Sequence, residues 1–148
     1  MTHTELVERA GRWLLNTRRC KLVIVGAKPW SCDEHPDAIG WLPGAESIVV
    51  ECKISEEDWR ADHYKQWRKT TTGMGFRRYY LYPAGLCAYP TSEQDGLLEV
   101  SGRTVRVVRE ALSRQKRDWT AELSMLLAQL SDGRRVIGDS DAEAADGK

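Results

Sequence analysis

Residues 36–53, with the sequence PDAIGWLPGAESIVVECK, decide how the chain folds. Two runs rich in apolar and β-branched residues, at 38–42 and 47–53, are separated by Pro and Gly at 43–44. β-Branched residues favour extended backbone and a Pro-Gly pair favours a turn, so the segment is typical of two short strands joined by a turn. The uninterrupted apolar run at 48–50 indicates a strand that is covered on both faces.

Charged residues stand at the ends of these two predicted strands. Asp37 directly precedes the first strand, and Glu51 and Lys53 end the second. In an extended strand residues two apart share a face, so Glu51 and Lys53 project together while Cys52 points the other way. Charged groups at the end of a buried strand are costly unless they border a crevice, pair with each other or hold a metal. If the strands pair as a hairpin, the Asp37 and Glu51 carboxylates converge on one point.

These residues have the chemistry of a divalent metal site. Mg²⁺, or Mn²⁺ in its place, prefers hard oxygen ligands, commonly one or two carboxylates with water and phosphate oxygens. We expect Asp37 and Glu51 to hold the ion, with the backbone carbonyl of Cys52 as a further ligand. Hydrolysis of a phosphodiester needs a cation that screens the phosphate and lowers the pKa of a bound water. Lys53 can orient that water or stabilise the charge that develops on the phosphate oxygens.

The apolar periodicity in the remainder of the chain predicts further helices and strands around this hairpin. We expect a helix from about Thr4 to Asn16, a strand at Leu22–Val25, a helix that begins at Ser55 and continues through Trp59, His63 and Trp67, a strand at Tyr79–Tyr82, and a hairpin of Leu97–Val100 with Arg103–Val108. Helical and strand periodicities thus alternate along the chain. This alternation predicts an α/β protein.

The pattern of the C-terminal segment predicts an amphipathic helix that is followed by a disordered tail. Apolar residues recur in it at helical spacing: Leu112, Trp119, Leu123, Leu126, Leu127 and Leu130. This helix could close the domain or serve as a contact in a homodimer. Small and polar residues dominate afterwards, so we expect residues 131–148 to be disordered. A chain of 148 residues accommodates one ordinary core, so residues 1–130 are expected to form a single domain.

Charge is balanced over the whole chain but not along it. Lys and Arg together number 22, as do Asp and Glu, so the overall field gives no support for binding a polyanion. Between Trp59 and Arg78, however, only Asp62 opposes a set of basic residues. We expect this set to contact the phosphates of a nucleic acid, with a solvated helix face as the alternative: Arg60, Lys65, Arg68, Lys69, Arg77 and Arg78. Trp59 is expected to be a core residue rather than a base-stacking platform.

No segment of the sequence has the pattern of a secretion signal or of a membrane-spanning helix. Residues 1–12 interleave charged and apolar positions, unlike a secretion signal, and no later stretch is long and apolar enough to cross a bilayer. The four cysteines include no C-x-x-C pair, which argues against a zinc knuckle or a thioredoxin-type redox site. We therefore expect reduced thiols, a cytoplasmic location and no membrane partner.

The Pro-Asp pair at 36–37 and the Glu-Cys-Lys triplet at 51–53 resemble the signature of the PD-(D/E)XK nuclease superfamily, which includes restriction endonucleases and Holliday junction resolvases. The resemblance covers residues 4 to about 82. It implies a restriction-endonuclease-like fold, in which a mixed β-sheet is flanked by helices and the signature lies on the second and third strands. The C-terminal hairpin and amphipathic helix follow that region here. The resemblance also implies Mg²⁺-dependent hydrolysis of DNA.

Many members of this superfamily carry a further acidic residue on the first helix, near the metal. The resemblance makes Glu5 the candidate for this catalytic position, and Glu8, one turn away, is left open. Asp33 or Glu34 could take the place given to Asp37. Otherwise both are expected to be solvated loop groups.

Three functional hypotheses follow from the sequence. The leading one is a metal-dependent nuclease that hydrolyses phosphodiester bonds of DNA, in repair, recombination, restriction or phage DNA processing. The second is a nuclease-fold module that binds DNA or a protein partner and has no catalytic activity. The third is a structural interaction domain in which Glu51 and Lys53 form only an ion pair.

Overall fold

The computed structural model describes residues 1–26, 34–62, 73–86 and 92–130. Six strands in these residues form one sheet, in which the order of the strands follows the sequence. The strands are β1 Leu22–Val25, β2 Ala38–Trp41, β3 Ser47–Cys52, β4 Arg77–Pro83, β5 Gly96–Ser101 and β6 Thr104–Arg109. Strands β3, β4 and β5 run parallel, and the other neighbouring pairs are antiparallel. The sheet is therefore mixed, and together with the helices on its faces it confirms the α/β prediction.

Strands β2 and β3 form the hairpin for which residues 36–53 are typical. Residues 38–41 pair with residues 47–50 in antiparallel register, and a turn at residues 42–46 joins them. Gly44 in this turn adopts a φ of +88°, which glycine reaches without the steric cost that a side chain would add. Every residue of both strands is buried, in agreement with the apolar pattern of the sequence.

The first helix, α1, spans His3–Arg12 and is capped by Thr2, so it begins slightly before the predicted start at about Thr4. The Thr2 hydroxyl accepts from the backbone N–H of Glu5 at 3.2 Å, and the Glu5 carboxylate accepts from the N–H of Thr2 at 2.6 Å. This reciprocal capping box satisfies two backbone donors at once. A cap at Thr4 would place Val7 at the reciprocating position, and valine has no acceptor to offer.

The second helix, α2, begins where the sequence predicts. It spans Glu56–Asp62, and the Ser55 hydroxyl accepts from the N–H of Asp58 at 3.3 Å. Satisfying a free N–H in the first turn in this way is what favours serine at a helix start. The predicted continuation of the helix through His63 and Trp67 lies outside the described residues.

The C-terminal helix, α3, spans Trp119–Leu130. It therefore begins later than the apolar pattern from Leu112 suggests. The physical reason is the cap at Asp118, whose carboxylate accepts from the N–H of Ala121 at 2.9 Å. The predicted disorder of residues 131–148 falls outside the described residues.

Helix α1 covers one face of the sheet. Leu6 and Ala10 of α1 are fully buried, and a π-helical turn, Trp13–Thr17, continues the helix and buries Trp13 and Leu14 in the same core. These side chains pack against alternate residues of β2, β3, β4 and β5. Removal of this apolar surface from water is the main stabilising contribution of the helix.

Helix α3 covers part of the opposite face and leaves its own outer face uncovered. Ala121 and Met125 are buried against Ile39 and Val49 of the sheet. The large apolar residues on the outer face are 43% to 59% exposed: Trp119, Leu123, Leu127 and Leu130. The helix forms, but the predicted separation into an apolar and a polar face is wrong, because the charged Glu122 is buried and most of the leucines that reveal the periodicity face solvent in this chain.

Helix α2 packs on the same face of the sheet as α3, against β4, through an aromatic cluster. Trp59 lies 4.9 Å from Tyr80 and 5.9 Å from Tyr82, measured between ring centroids. Trp59 is only 2% exposed, which confirms that it is a core residue. None of the helices in the described part of the chain combines the length and the hydropathy that a bilayer-spanning helix needs.

We predict that Gly96→Ala destabilises the fold. A Cβ atom at residue 96 would lie 2.3 Å from the Tyr79 ring and 2.9 Å from the backbone nitrogen of Ala111, and both of these residues are buried. Overpacking of this kind costs about 1–3 kcal/mol of the free energy of unfolding, which urea titration measures. Gly102→Asn is the control, because residue 102 has open space around it at a φ of +57°, which asparagine tolerates. Equal losses in the two variants would contradict this prediction.

Candidate functional site

The register of β2 and β3 brings the two predicted metal-binding carboxylates together. Ala38 pairs with Val50, so Asp37, one residue before β2, lies across from Glu51 near the end of β3. The Asp37 carboxylate accepts from the backbone N–H of Cys52 at 2.8 Å, which holds it against the end of β3. The Asp37 side chain is 21% exposed, whereas Glu51 is 3% exposed.

Lys53 lies on the same face as Glu51. Its N–H donates to the carbonyl of Leu81 in β4 at 2.9 Å, so the backbone stays extended and the side chains continue to alternate. Both Glu51 and Lys53 are buried. Cys52 projects to the other face, where its thiol belongs to the core under α1. Burial, followed by the negative charges of Asp37 and Glu51, raises the pKa of this thiol well above its ordinary value.

A buried arginine joins this site from β4. Arg78 is 4% exposed, and its guanidinium donates to Glu51 Oε1 at 3.2 Å and to Glu34 Oε1 at 2.5 Å. Glu34 is also buried and accepts from the N–H of Met74 at 2.8 Å. A Cβ atom at Gly73 would come within 2.9 Å of the Arg78 guanidinium, so a side chain at this position would displace the guanidinium from its contacts. One cluster of charges thus ties the segment before β2 to β3 and β4.

This cluster corrects two expectations from the sequence. The expectation that Glu34 is a solvated loop group is wrong, because Glu34 is buried and paired with Arg78. Arg78 is expected to contact phosphates, but it lies where the backbone of a nucleic acid cannot reach it. A basic residue counted from a linear segment can lie on either face of a strand, and here Arg78 and Arg77 point in opposite directions.

The other five residues that are predicted to contact phosphates do not belong to this buried cluster or lie outside the described residues. Arg60 is exposed on α2 and pairs with Glu56 at 3.7 Å. Arg77 is partly buried, and its guanidinium donates to the carbonyl of Ala111 at 3.0 Å. The remaining three predicted contacts lie outside the described residues: Lys65, Arg68 and Lys69.

Negative charge is concentrated around Asp37. Burial, followed by the charge of Glu51, raises the pKa of the Asp37 carboxyl above its ordinary value of 3.8. The hydrogen bond from the N–H of Cys52 and the nearby His3 act in the opposite direction but do not cancel these effects. The charge of Glu51 in a partly dehydrated place therefore disfavours the ionised form of Asp37.

His3 is a site residue that the sequence analysis missed. Its Nε2 lies 3.3 Å from Asp37 Oδ1. The signal for it was present in the sequence, because Leu6 and Ala10 mark the buried face of α1 and His3 precedes Leu6 by three residues on that face. The strand register that brings Asp37 under the start of α1 is a tertiary feature, which the helical period alone does not predict.

Glu5 and Glu8, the two acidic candidates on α1, take other positions. Glu5 is exposed, and its hydrogen bonds with the backbone and the hydroxyl of Thr2 lower its pKa. Glu8 is exposed and pairs with Arg12 at 3.8 Å. The structure therefore brings His3, rather than Glu5, to Asp37.

Arg114 is a second buried guanidinium near the cluster. It is 9% exposed, and burial followed by the charge of Arg78 lowers its pKa, while Asp95 and Glu34 favour its charged form. Its backbone N–H donates to the carbonyl of Phe76 at 2.8 Å, which fixes the irregular segment between β6 and α3 against the sheet. No motif or period marks this residue, so its burial could not be predicted from a sequence pattern.

The donor chemistry of the site fits a hard divalent ion. Asp37 and Glu51 present carboxylates from neighbouring strands, and a cation between them would relieve the repulsion that raises the pKa of Asp37. Among the described residues, no group of three or more His, Cys, Asp and Glu side chains is arranged to hold a metal. One or two carboxylates with a carbonyl and water nevertheless suffice for Mg²⁺ in proteins, so Asp37, Glu51 and the Cys52 carbonyl stay the predicted ligand set.

Comparison with known proteins gives a fold and no function. No protein-family model matches the chain, and no curated protein matches it. A solved structure that is similar is described as "SPO1766 protein of unknown function from Silicibacter pomeroyi"; it has a TM-score of 0.64 and 20% sequence identity, and the match covers 93% of this chain and 99% of that chain. At this level of identity the likeness shows a shared fold alone.

We predict that Asp37→Asn stabilises the folded protein at neutral pH. Because the pKa of Asp37 is raised on folding, the native state binds its proton more tightly, and stability falls as pH rises through that raised pKa. Asparagine carries no charge and keeps an oxygen that can accept from Cys52. The gain in the free energy of unfolding should be largest near about pH 7.5 and should shrink as the pH falls toward about 4.

Urea unfolding over this pH range measures the effect. The control is Glu46→Gln, which removes one carboxylate from the exposed turn between β2 and β3 and should change stability by less than about 0.5 kcal/mol. A gain in Asp37→Asn that does not vary with pH would show that the repulsion from Glu51 is not its cause.

Proposed function

We propose that this chain is a metal-dependent nuclease of the PD-(D/E)XK type that hydrolyses phosphodiester bonds of DNA. The observation that carries the proposal is that Asp37 lies across from Glu51 on neighbouring strands while Lys53 shares the face of Glu51. The order of elements supports it too, because α1, three antiparallel strands, α2 and a parallel β4 follow one another as in the restriction-endonuclease-like fold.

Each residue of the signature has a separate task in this proposal. Asp37, Glu51 and the carbonyl of Cys52 would hold Mg²⁺ or Mn²⁺. When bound, such an ion screens the charge of the phosphate and lowers the pKa of a coordinated water. The amine of Lys53 stabilises the negative charge that develops on the phosphate oxygens during hydrolysis. Burial of Lys53 strengthens this interaction, because less water screens it.

Other residues keep the two carboxylates in place. Arg78 donates to one oxygen of Glu51, and Glu34 in turn holds Arg78. The N–H of Cys52 contacts one oxygen of Asp37, and His3 contacts the other. Acidic groups that are held before the substrate arrives lose little conformational freedom when it binds, which favours catalysis.

DNA is the proposed substrate and the cytoplasm the proposed location. Arg60 on α2 is exposed on the side of the sheet from which Glu51 and Lys53 project, where a guanidinium can contact the phosphates of a bound strand. Free thiols at Cys20 and Cys52 suit a reducing compartment.

The second candidate function is a nuclease-fold module that binds DNA and does not cut it. The observation that favours it is the contact between Arg78 and Glu51, because a guanidinium already neutralises part of the charge that a metal ion would neutralise. The two candidates differ in what they require of Lys53. The nuclease requires the Lys53 amine for hydrolysis, whereas a module that only binds DNA does not require it for any chemical step.

We also propose that the outer face of α3 forms a homodimer contact. Its exposed residues, Trp119, Leu123, Leu127 and Leu130, recur at helical spacing, and exposed apolar patches of this kind mark interaction sites. The single charged residue of α3, Glu122, is buried, where it accepts from the Nε1 of Trp41 at 3.0 Å. No charge on the outer face therefore opposes the approach of an identical helix from a second copy.

We predict that Asp37→Asn and Lys53→Met each abolish metal-dependent cleavage of plasmid DNA. Loss of a metal ligand or of a group that stabilises the transition state lowers the rate by about 100-fold or more. The assay contains Mg²⁺ or Mn²⁺ in one arm and EDTA in the other. Glu46→Gln is the matched control, since it removes an exposed carboxylate close in sequence and should cut at the wild-type rate.

A measurement that needs no turnover accompanies this assay. Mn²⁺ should raise the melting temperature of the wild type, because an ion that binds only the folded state stabilises it, and Asp37→Asn should lose this rise. A rise in the wild type without any cleavage would favour the second candidate function. Cleavage that survives Lys53→Met would contradict the role given to this amine.

We predict that Leu123→Glu converts a dimer into a monomer. A carboxylate at the centre of the outer face of α3 would have to lose its hydration in the contact, which is unfavourable. Size-exclusion chromatography with light scattering measures the mass of each species. Leu112→Glu is the control, because Leu112 is 57% exposed, as Leu123 is, but lies outside α3. A wild-type protein that is monomeric at every concentration would refute the contact.

A further inference from the structure

A groove runs between the flank of α1 and strand β6, on the face of the sheet opposite Glu51 and Lys53. It has a volume of about 700 Å³, and its polar lining consists of Arg9, Arg12, Asn16, Thr17, Arg103 and Thr104. Most of these side chains are exposed, and Arg9 is half-buried. Every one of the six can donate a hydrogen bond.

The lining of this groove is strongly positive in a chain whose net charge is zero. Three guanidiniums contribute to it, and none of the described residues that line it is acidic. Glu8 approaches Arg12 at 3.8 Å, but both side chains are more than 60% exposed, so water screens this pair and leaves most of the positive charge uncompensated. The local concentration of arginine is therefore suited to an anionic partner.

We propose that this groove binds the phosphate backbone of the nucleic acid substrate. The inference deepens the proposed nuclease function and rests on it for the identity of the partner. Arginine forks match the paired oxygens of a phosphate, and the hydroxyls of Thr17 and Thr104 and the amide of Asn16 add neutral donors beside them.

The position of the groove suits a strand that also reaches the carboxylates. Helix α1 starts at His3, which contacts Asp37, and Arg9 lies six residues further along, so it is about 9 Å away along the helix axis. One strand of DNA presents a phosphate about every 3.4 Å along its axis, so this distance corresponds to about three phosphates. Strands β5 and β3 are parallel, so their carboxyl ends lie at the same end of the sheet. Arg103 follows the end of β5, and Glu51 lies near the end of β3.

The groove binds backbone rather than bases. Its one aromatic residue among those described is Trp13, which is 4% exposed and packs edge-on against Tyr79 at 5.1 Å between centroids. A buried ring cannot stack on a base, so single-strand recognition by stacking is excluded here. Contacts to phosphates carry no sequence information, and this groove consequently adds affinity without base specificity.

Binding of a short fluorescent DNA duplex, measured by anisotropy in EDTA, tests the proposal without any cleavage. The test variant is Arg9→Gln with Arg103→Gln. Its affinity should fall about ten-fold, and the slope of log affinity against log salt should decrease by about 2, because two phosphate contacts are lost. Arg9→Lys with Arg103→Lys keeps both charges and should keep most of that slope.

The matched control is Arg106→Gln with Lys116→Gln, which removes the same net charge from exposed positions outside the groove. An unchanged salt slope in the test variant, a loss of equal size in the control, or a wild type that does not bind DNA would each overturn the proposal. A wild type that binds through the groove but never cuts with Mg²⁺ would leave the groove in place and refute the nuclease activity alone.

Discussion

The buried contacts of Arg78 are the interaction on which the arrangement of this site depends. The guanidinium contacts Glu34, Glu51 and the carbonyl of Met74, so it joins three segments that are far apart in sequence. Loss of one partner from a buried ion pair leaves an uncompensated charge, which costs about 3–5 kcal/mol. This cost disfavours any packing of the start of β4 against β3 that separates Arg78 from Glu51 or Glu34.

Asp37 shows the opposite electrostatic balance. Glu51 has a buried cation beside it, whereas Asp37 has a backbone N–H and a partly exposed histidine. Burial and the charge of Glu51 raise the pKa of Asp37 in spite of these two contacts. The protein tolerates an unfavourable carboxylate at the position where, in the proposed function, a divalent ion would turn repulsion into binding, which is how functional sites commonly differ from the remainder of a fold.

The features that the sequence predicts well are local. The β2–β3 hairpin and the start of α2 follow from turn residues, β-branched residues and a serine cap within a few positions of one another. The pairing of Asp37 with Glu51 follows from that hairpin as well. The roles of Arg78 and His3 depend on the parallel contact of β4 with β3 and on the placement of α1, which are set by packing across the whole sheet. No periodicity within a single segment contains that information.

In the described part of the chain the sheet ends in two open edges, β1 and β6. An open edge presents unpaired N–H and C=O groups, which can recruit a strand from another molecule and start aggregation. Strand β1 has only four residues, which limits the template that it offers. Strand β6 is longer and exposes Val107 and Val108, but Arg103 directly precedes it, and Arg106 and Arg109 lie on it. Like charges on two such edges repel each other, so these arginines also protect the protein against fibre-like association at high concentration.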